Sequence, residues 1–75
     1  MSAIEKTPGV VGGSSRIART RIPVWSLENY RRLGWSDGRL LNAYPTLRQH
    51  DLKAAWAYVQ AHKPEIDAEI LEETT

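Results

Sequence analysis

Apolar residues recur at helical spacing in two stretches of the second half of the chain. They occupy Leu40, Leu41 and Tyr44 in the first stretch, and Leu52, Ala55, Trp56 and Val59 in the second. This i, i+3, i+4, i+7 pattern predicts two amphipathic helices, each with one face that packs into a core. Pro45 separates them, because proline lacks the N–H that a helix interior needs and disfavours helical backbone at Tyr44.

Polar residues mark where these two helices begin. Ser36 can cap the first helix, and Thr46 followed by Gln49 has the T-x-x-Q form of a capping box for the second. Two helices joined this abruptly must cross at a steep angle. Residues 35–62 therefore predict a helix-turn-helix.

The first half of the chain predicts one more helix and a β-hairpin. The helix covers residues 26–33, with Ser26 as its cap and Gly34 as its stop. Residues 10–11 and 16–17 are short strand candidates around a Gly-Gly-Ser-Ser turn, and residues 21–24 continue as an extended segment. An isolated hairpin is only marginally stable and has an open edge, so a homodimer through this N-terminal hairpin is expected.

Pro64 is expected to end the third helix and to start a different segment. Residues 64–75 combine an apolar stripe with acidic residues, namely Ile66, Ile70 and Leu71 with Glu65 and Glu69. We expect these five residues to bind a partner protein by folding on it, and docking on the body of the chain is the alternative. The domain prediction is thus a hairpin plus helix-turn-helix domain over residues 1–63 and an acidic partner-binding tail over 64–75.

The resulting fold prediction is a mostly α protein. It is a three-helix, homeodomain-like helix-turn-helix domain with a short N-terminal β-hairpin and an acidic C-terminal tail helix. The length of 75 residues is enough for one small domain, which buries about 60% of its unfolded surface. Cysteine is absent, so neither a disulfide framework nor a thiolate metal site is expected.

Two further features bear on where the protein acts. The first residues, MSAIEKTPG, show neither the basic start nor the apolar run of a signal peptide. No stretch approaches the roughly 18 apolar residues that a membrane span requires. These features predict a cytoplasmic protein without a membrane partner.

Charge is distributed very unevenly along the chain. Residues 1–63 carry ten basic and four acidic side chains, a net charge of +6, whereas residues 64–75 carry five acidic side chains and no basic one. A basic body attracts polyanions through a field that does not depend on sequence. An acidic end of this kind is typical of an interaction segment or of a solvated terminus.

The residue types at two places suit nucleic-acid binding. The candidates are Arg16, Arg19 and Arg21 in the hairpin region, and Arg48, Gln49, His50 and Lys53 at the start of the third helix. In a helix-turn-helix, the first residues of the second helix reach base edges, where arginine pairs with guanine and glutamine with adenine. The alternative is that the rather apolar outer face at Ala54, Ala57 and Tyr58 packs on a partner subunit.

Nothing in the sequence indicates catalysis, a metal site or a cofactor. His50 and His62, the two histidines of the chain, are too far apart for an H-x-x-x-H pair. The Gly12-Gly13 pair lacks the spacing of a phosphate-binding loop, so it is interpreted as a turn. An enzyme is therefore not expected.

The order of these motifs closely resembles the bacterial family called domain of unknown function 433. The similar segments read PGVVGG, RIARTRIPVWSLENYRRLGWS, YPTL and AWAYVQAH, within residues 7–62. The most specific of them are residues 20–24 and 44–47. The chain departs from the family at Arg19, which stands where glycine is usual, and at Ser14 and Ser15. A side chain at position 19 disfavours a left-handed turn there.

The resemblance implies a helix-turn-helix domain with an N-terminal hairpin. Members of the family resemble antitoxins of VapB type, which are encoded beside a PIN-like ribonuclease toxin. Such an antitoxin binds and neutralises the toxin protein, and it binds operator DNA to repress its own operon. The function expected from the resemblance is therefore that of a type II antitoxin. The alternative is a protein-interaction module that uses the helix-turn-helix as a scaffold without binding DNA.

Overall fold

The computed structural model describes residues 3–7, 9 and 13–74 of the chain. Within these residues the fold is mostly helical, with four helices and one two-stranded antiparallel sheet. The strands are β1 (Ile4–Glu5) and β2 (Arg16–Ile17), and the helices are α1 (Val24–Arg32), α2 (Asp37–Ala43), α3 (Gln49–Ala61) and α4 (Lys63–Thr74). This architecture confirms the predicted fold class, a helix-turn-helix domain that follows a short N-terminal hairpin.

The strand that pairs with β2 comes from the first residues of the chain. Ile4 lies opposite Ile17 and Glu5 lies opposite Arg16. The other expected strand, at residues 10–11, and its turn residue Gly12 lie outside the described residues. Apolar contact explains the register, because Ile4 packs against the core that buries Ile17.

The ends of α1 and α2 follow local chemistry closely. Helix α1 begins at Val24, so the prediction of Ser26 as its cap is wrong. Extended Pro23 precedes the helix, no side chain caps it, and the Val24 N–H bonds to the Ser15 carbonyl at 2.9 Å. Gly34 ends this region with a φ of 100°, as predicted. In α2, the Ser36 hydroxyl accepts a hydrogen bond from Arg39 N–H at 3.2 Å, which confirms the predicted cap.

The start of α3 differs from the prediction. The expected capping box of Thr46 and Gln49 is wrong, because the helix begins only at Gln49. Leu47 explains the delay, since its side chain is buried in the core and its N–H bonds to the carbonyl of Tyr44 at 2.9 Å, so the turn continues through residue 48. The Asp51 carboxylate then accepts the Arg48 N–H at 3.0 Å and caps the helix from inside its first turn.

Helix α4 is part of the same core as the other helices. It packs against α1 and α3, and it buries Ile66 and Ile70. A single residue, His62, separates it from α3. The core contains Ile17, Val24, Leu27, Leu40, Leu47, Leu52, Ala55, Val59, Ile66 and Ile70. Each buried aliphatic side chain stabilises the fold by about 1.5–3 kcal/mol relative to exposure.

The docking of α4 differs from the expected partner-binding tail at residues 64–75. Three helices of this size leave apolar surface between α1 and α3, and the two isoleucines fill it. The alternative considered from the sequence, docking on the body, is the arrangement observed. Among the described residues, no helix combines the length and apolar character that crossing a membrane requires.

Candidate nucleic-acid interface

The turn that follows β2 is held tightly and places Arg19 at its tip. Thr20 closes the turn, because its hydroxyl donates to the Ile17 carbonyl at 2.8 Å and accepts Ile22 N–H at 3.0 Å. Ala18 N–H bonds to the Ala3 carbonyl at 2.8 Å, which ties the turn to the segment before β1. These hydrogen bonds fix the backbone of the turn and the Thr20 side chain. The Arg19 side chain takes part in none of them.

Arg19 keeps the left-handed conformation that the sequence argued against. Its φ is 66°, and the Glu5 carboxylate accepts its N–H at 3.4 Å. A non-glycine residue in this region costs about 1 kcal/mol relative to glycine. The prediction failed because neighbouring hydrogen bonds fix the turn regardless of the side chain at its tip.

The turn and the start of α3 together form a groove of about 540 Å³. Its lining residues are Ala3, Ala18, Arg19, Thr20, Pro45, Thr46, Arg48, His50 and Asp51. Two arginines from distant parts of the sequence thus line one depression. The turn between α2 and α3 supplies one wall, and the turn after β2 (residues 18–20), which we call the hairpin turn, supplies the other.

Asp51 is the carboxylate of the groove, and the sequence analysis did not single it out. Its side chain is 14% exposed, against 66% for His50, whose Nε2 lies 3.3 Å from Asp51 Oδ1. The other carboxylate oxygen accepts Arg48 N–H. An acid three residues after a helix cap is the signal that could have identified it. Because Asp51 is turned inward, the exposed groups of the groove are mainly cationic.

Six of the seven predicted DNA-binding residues are exposed. Arg19, Arg48 and His50 line the groove, Arg21 follows the turn, and Gln49 and Lys53 lie one helical turn apart on α3. Arg16 differs, because its side chain is only 11% exposed. Its guanidinium bonds to the Glu5 carboxylate at 3.0 Å and to the Thr7 hydroxyl at 3.2 Å. The prediction of Arg16 as a DNA contact is not supported in this conformation.

The basic side chains divide into two groups by their partners. Lys6, Arg16, Arg31 and Arg32 form ion pairs, and the Arg39 guanidinium lies 3.8 Å from the centroid of the Trp35 ring. Within the described residues, Arg19, Arg21, Arg48, Lys53 and Lys63 form no ion pair and stack on no ring. The first four of these define the cationic end of the molecule.

The acids of α4 are used inside the fold instead. The Glu65 carboxylate accepts hydrogen bonds from Lys6 Nζ at 2.9 Å and from Tyr58 Oη at 2.7 Å. Burial alone would raise the pKa of Glu65, but these two hydrogen bonds outweigh it and hold the pKa below 4.5. Burial and the same carboxylate raise the pKa of Tyr58, and the hydrogen bond to Glu65 raises the pKa of Lys6.

A second ionic cluster joins α1 to α4. Glu28 is buried and accepts from Arg31 Nε at 2.7 Å and from Arg32 Nε at 2.9 Å. Arg32 also bonds to Asp67 of α4. We call the residues of both ionic clusters the paired face: Lys6, Glu28, Arg31, Arg32, Glu65 and Asp67.

The predicted partner-binding residues have separate positions on α4. Ile66 and Ile70 are buried in the core, and Glu65 is bonded to Lys6 and Tyr58. Leu71 is 68% exposed. Glu69 is half-buried and lines a shallow acidic groove with Glu72 and Glu73. Only part of the predicted surface is therefore accessible.

The outer face of α3 is less apolar than the sequence suggested. Tyr58 turns toward α4 and stacks on His62, with ring centroids 4.2 Å apart. Ala57 is exposed beside Trp56, whose ring lies 4.2 Å from the Arg31 guanidinium. Trp56 Nε1 donates to Asp37 at 3.2 Å. In the described part of the chain, no group of three His, Asp or Glu side chains is arranged to hold a metal ion.

Comparison with known proteins agrees with this architecture. A family model described as "Protein of unknown function (DUF433)" matches residues 4–59. The chain belongs to the DUF433 family. The match runs from β1 into the last turn of α3, so it includes the groove and the helix-turn-helix.

A solved DUF433 structure extends the comparison beyond residue 59. The crystal structure of a DUF433 member protein from Anabaena variabilis ATCC 29413, at 2.00 Å resolution, is similar with a TM-score of 0.93 and 49% sequence identity. The similarity covers 95% of this chain and 70% of that chain. A match this long must include most of α4. No curated protein matches the chain.

Proposed function

We propose that this DUF433 protein is a DNA-binding antitoxin of a type II toxin–antitoxin pair. The observation that supports the DNA half is the position of the unpaired cations. Arg19, Arg21, Arg48 and Lys53 lie at the hairpin turn and at the start of α3, whereas most other basic side chains have partners inside the fold. Unpaired exposed cations on a helix-turn-helix are the groups that bind the phosphates of a polyanion.

The start of α3 would enter the major groove of operator DNA. Gln49 is exposed at the first helical position, where a glutamine can pair with the edge of adenine. Lys53 lies one turn further along the same face and suits a phosphate. A homodimer through the N-terminal hairpin would bring two such helices to one operator. We place this protein in the cytoplasm.

Titration of labelled duplexes tests the DNA half. The protein is mixed with its own promoter and with a random duplex at about 50 and 200 mM salt, and binding is measured by fluorescence anisotropy. We expect tighter binding to the promoter and a steep loss of affinity with salt. The double variant Arg48→Ala, Lys53→Ala should weaken binding strongly. Lys63→Ala removes an unpaired cation at the other end of α3 and should leave it unchanged.

Equal affinity for both duplexes would refute operator recognition. No measurable binding to either duplex at low salt would refute the DNA half altogether. The Lys63→Ala control separates a specific role of the cationic end from a simple dependence on net charge.

The toxin half concerns the exposed side of α4. Leu71 is an exposed large apolar residue, and Glu69, Glu72 and Glu73 line a shallow groove on another part of the exposed surface of α4. We propose that this side binds a PIN-like ribonuclease toxin protein. Because Ile66 and Ile70 belong to the core, deleting α4 would unfold the protein and would test nothing about binding.

Point variants on the exposed side of α4 keep the fold and test toxin binding. Leu71→Asp and Glu69→Lys should weaken capture of the toxin encoded next to this gene, measured by co-purification and by growth rescue. Leu33→Asp, at an equally exposed leucine after α1, is the matched control and should leave capture intact. Undiminished neutralisation by both α4 variants would remove this surface from the proposal.

A protein-interaction module without DNA binding is the second candidate. The observation that favours it is the shallow exposed surface of Arg31, Trp56, Ala57, Gln60 and Ala61 on the outer side of α3. Charge reversal by Arg48→Glu and Lys53→Glu discriminates between the candidates. An unchanged affinity for DNA would favour the scaffold function, and a large loss would favour DNA binding.

A further inference from the structure

We infer that the groove between the hairpin turn and the start of α3 binds one phosphate of the DNA backbone. The hairpin turn would then be a second DNA-contacting element beside α3. This inference rests on the proposed DNA binding and assigns phosphate contacts and base contacts to different parts of the surface. Arg19 and Arg48 would hold the phosphate, while the exposed face of α3 would read the bases.

Arg19 is the first reason for this assignment. The other described residues with positive φ are glycines, at positions 9, 13 and 34. Arginine holds this unfavourable conformation although its guanidinium makes no ion pair, hydrogen bond or ring contact with the described residues. Its side chain is exposed and makes no such contact within the described fold, so its charge is available to a ligand outside the chain.

The chemistry of the groove is the second reason. Arg19 and Arg48 line it together with His50, whose side chain is 66% exposed. Its carboxylate, Asp51, is turned inward and accepts a backbone N–H. The hydroxyl of Thr20, which also lines the groove, is bonded within the turn, so the arginines supply the charged donors. Guanidinium groups recognise phosphate by charge-assisted hydrogen bonds.

The position of the groove is the third reason. A recognition helix that lies in the major groove has the phosphate backbone on either side of it. The groove adjoins the first residues of α3, beside Gln49, which is where the backbone passes when the helix inserts by its N-terminal end. The basic side chains of the paired face are bound to carboxylates, so they take no part.

The test compares three variants by anisotropy with the promoter duplex and a random duplex over a range of salt. Arg19→Gly removes the charge and gives the turn its preferred residue, so its melting temperature should equal or exceed that of the wild type. Its affinity should fall by the same factor on both duplexes. The slope of log K against log salt should become shallower by about 1, the value for one lost phosphate contact.

Two matched variants complete the design. Arg19→Lys keeps the charge and should keep the slope. Lys63→Ala removes an unpaired cation far from the groove and should leave both the slope and the affinity unchanged. Because Arg19→Gly does not destabilise the turn, its loss of affinity cannot be attributed to unfolding.

The outcomes separate this inference from the proposed function. If Arg19→Gly keeps the wild-type slope while Arg48→Ala and Lys53→Ala lose affinity, the groove assignment is wrong and DNA binding stands. If Arg19→Gly weakens binding to the promoter alone, Arg19 reads bases and the assignment is also wrong. If the wild type binds neither duplex, the proposed function itself fails and the inference falls with it.

Discussion

The cationic end and the paired face use the same residue types for different purposes. On the paired face, Arg32 contacts both Glu28 and Asp67, and Lys6 contacts Glu65, so basic side chains join the N-terminal segment and α1 to α4. At the cationic end, Arg19, Arg21, Arg48 and Lys53 have no acidic partner among the described residues.

The difference teaches which part of the charge asymmetry is available to other molecules. Read along the sequence, residues 1–63 carry +6 and residues 64–75 carry −5. The fold brings two of the five acids of residues 64–75, Glu65 and Asp67, into contact with Lys6 and Arg32 at the paired face. Four of the five basic side chains that have no partner among the described residues belong to the cationic end, and the following predictions test this contrast.

The largest loss of stability is expected when the packing of α4 against the core is weakened. Ile66→Ala removes a fully buried side chain, which costs about 2–5 kcal/mol of unfolding free energy. Domains of this size rarely exceed about 3–5 kcal/mol in total, so the variant should be largely unfolded at 37 °C. Urea denaturation followed by circular dichroism measures this. Leu71→Ala on the same helix should change stability by less than about 0.5 kcal/mol, and equal effects of the two would contradict the docking of α4.

The buried carboxylate of the paired face should give the next largest effect. Glu28→Gln leaves Arg31 without its charged acceptor and Arg32 with Asp67 alone, at an expected cost of about 1–3 kcal/mol. Thermal denaturation at neutral pH measures the loss. Glu72→Gln, an exposed acid on α4, is the control and should be neutral. A neutral Glu28→Gln would mean that the bonds of Glu28 to these arginines do not stabilise the fold.

The third prediction concerns acid. The folded pKa of Glu65 lies below its ordinary 4.5, so its contribution is complete above pH 4.5 and is lost as pH falls through the folded pKa. Glu65→Gln should cost about 0.5–1 kcal/mol at pH 7 and should lose less stability than the wild type between pH 4.5 and 3. Melting temperatures of both proteins recorded over that pH range test this prediction. The same dependence of melting temperature on pH in both would mean that ionised Glu65 does not stabilise the fold.

The smallest effect is expected at the cationic end. Arg48→Ala and Lys53→Ala should each change the unfolding free energy by less than about 0.5 kcal/mol, because neither side chain has an ionic partner in the described fold. The same urea titration measures both variants. A loss above about 1 kcal/mol would show that these charges have a structural role.

Local signals in the sequence were sufficient for part of the fold. The Ser36 cap, the end of α2 before Pro45 and the stop at Gly34 depend on backbone chemistry within a few residues, and each is present in the structure. The apolar face of α3 was also predicted, because Leu52, Ala55 and Val59 are buried as their spacing required.

The remaining features depend on contacts between distant residues. Lys6 and Glu65 are 59 positions apart, and Arg32 and Asp67 are 35 positions apart, so no local pattern indicates that these pairs meet. The cap of α3 was missed because burial of Leu47 overrode the T-x-x-Q pattern. Of the candidate site, the exposed cations were predicted, but the groove that Arg19 and Arg48 share could only be seen once the chain was folded.

The junction at His62 has a mechanical consequence. A single residue spans at most about 3.6 Å, which leaves no slack between the end of α3 and the start of α4. Any partner that tilts α4 must pull directly on α3, and the rigid helix carries that displacement along its length. A displacement of α4 is thereby coupled mechanically to the orientation of α3.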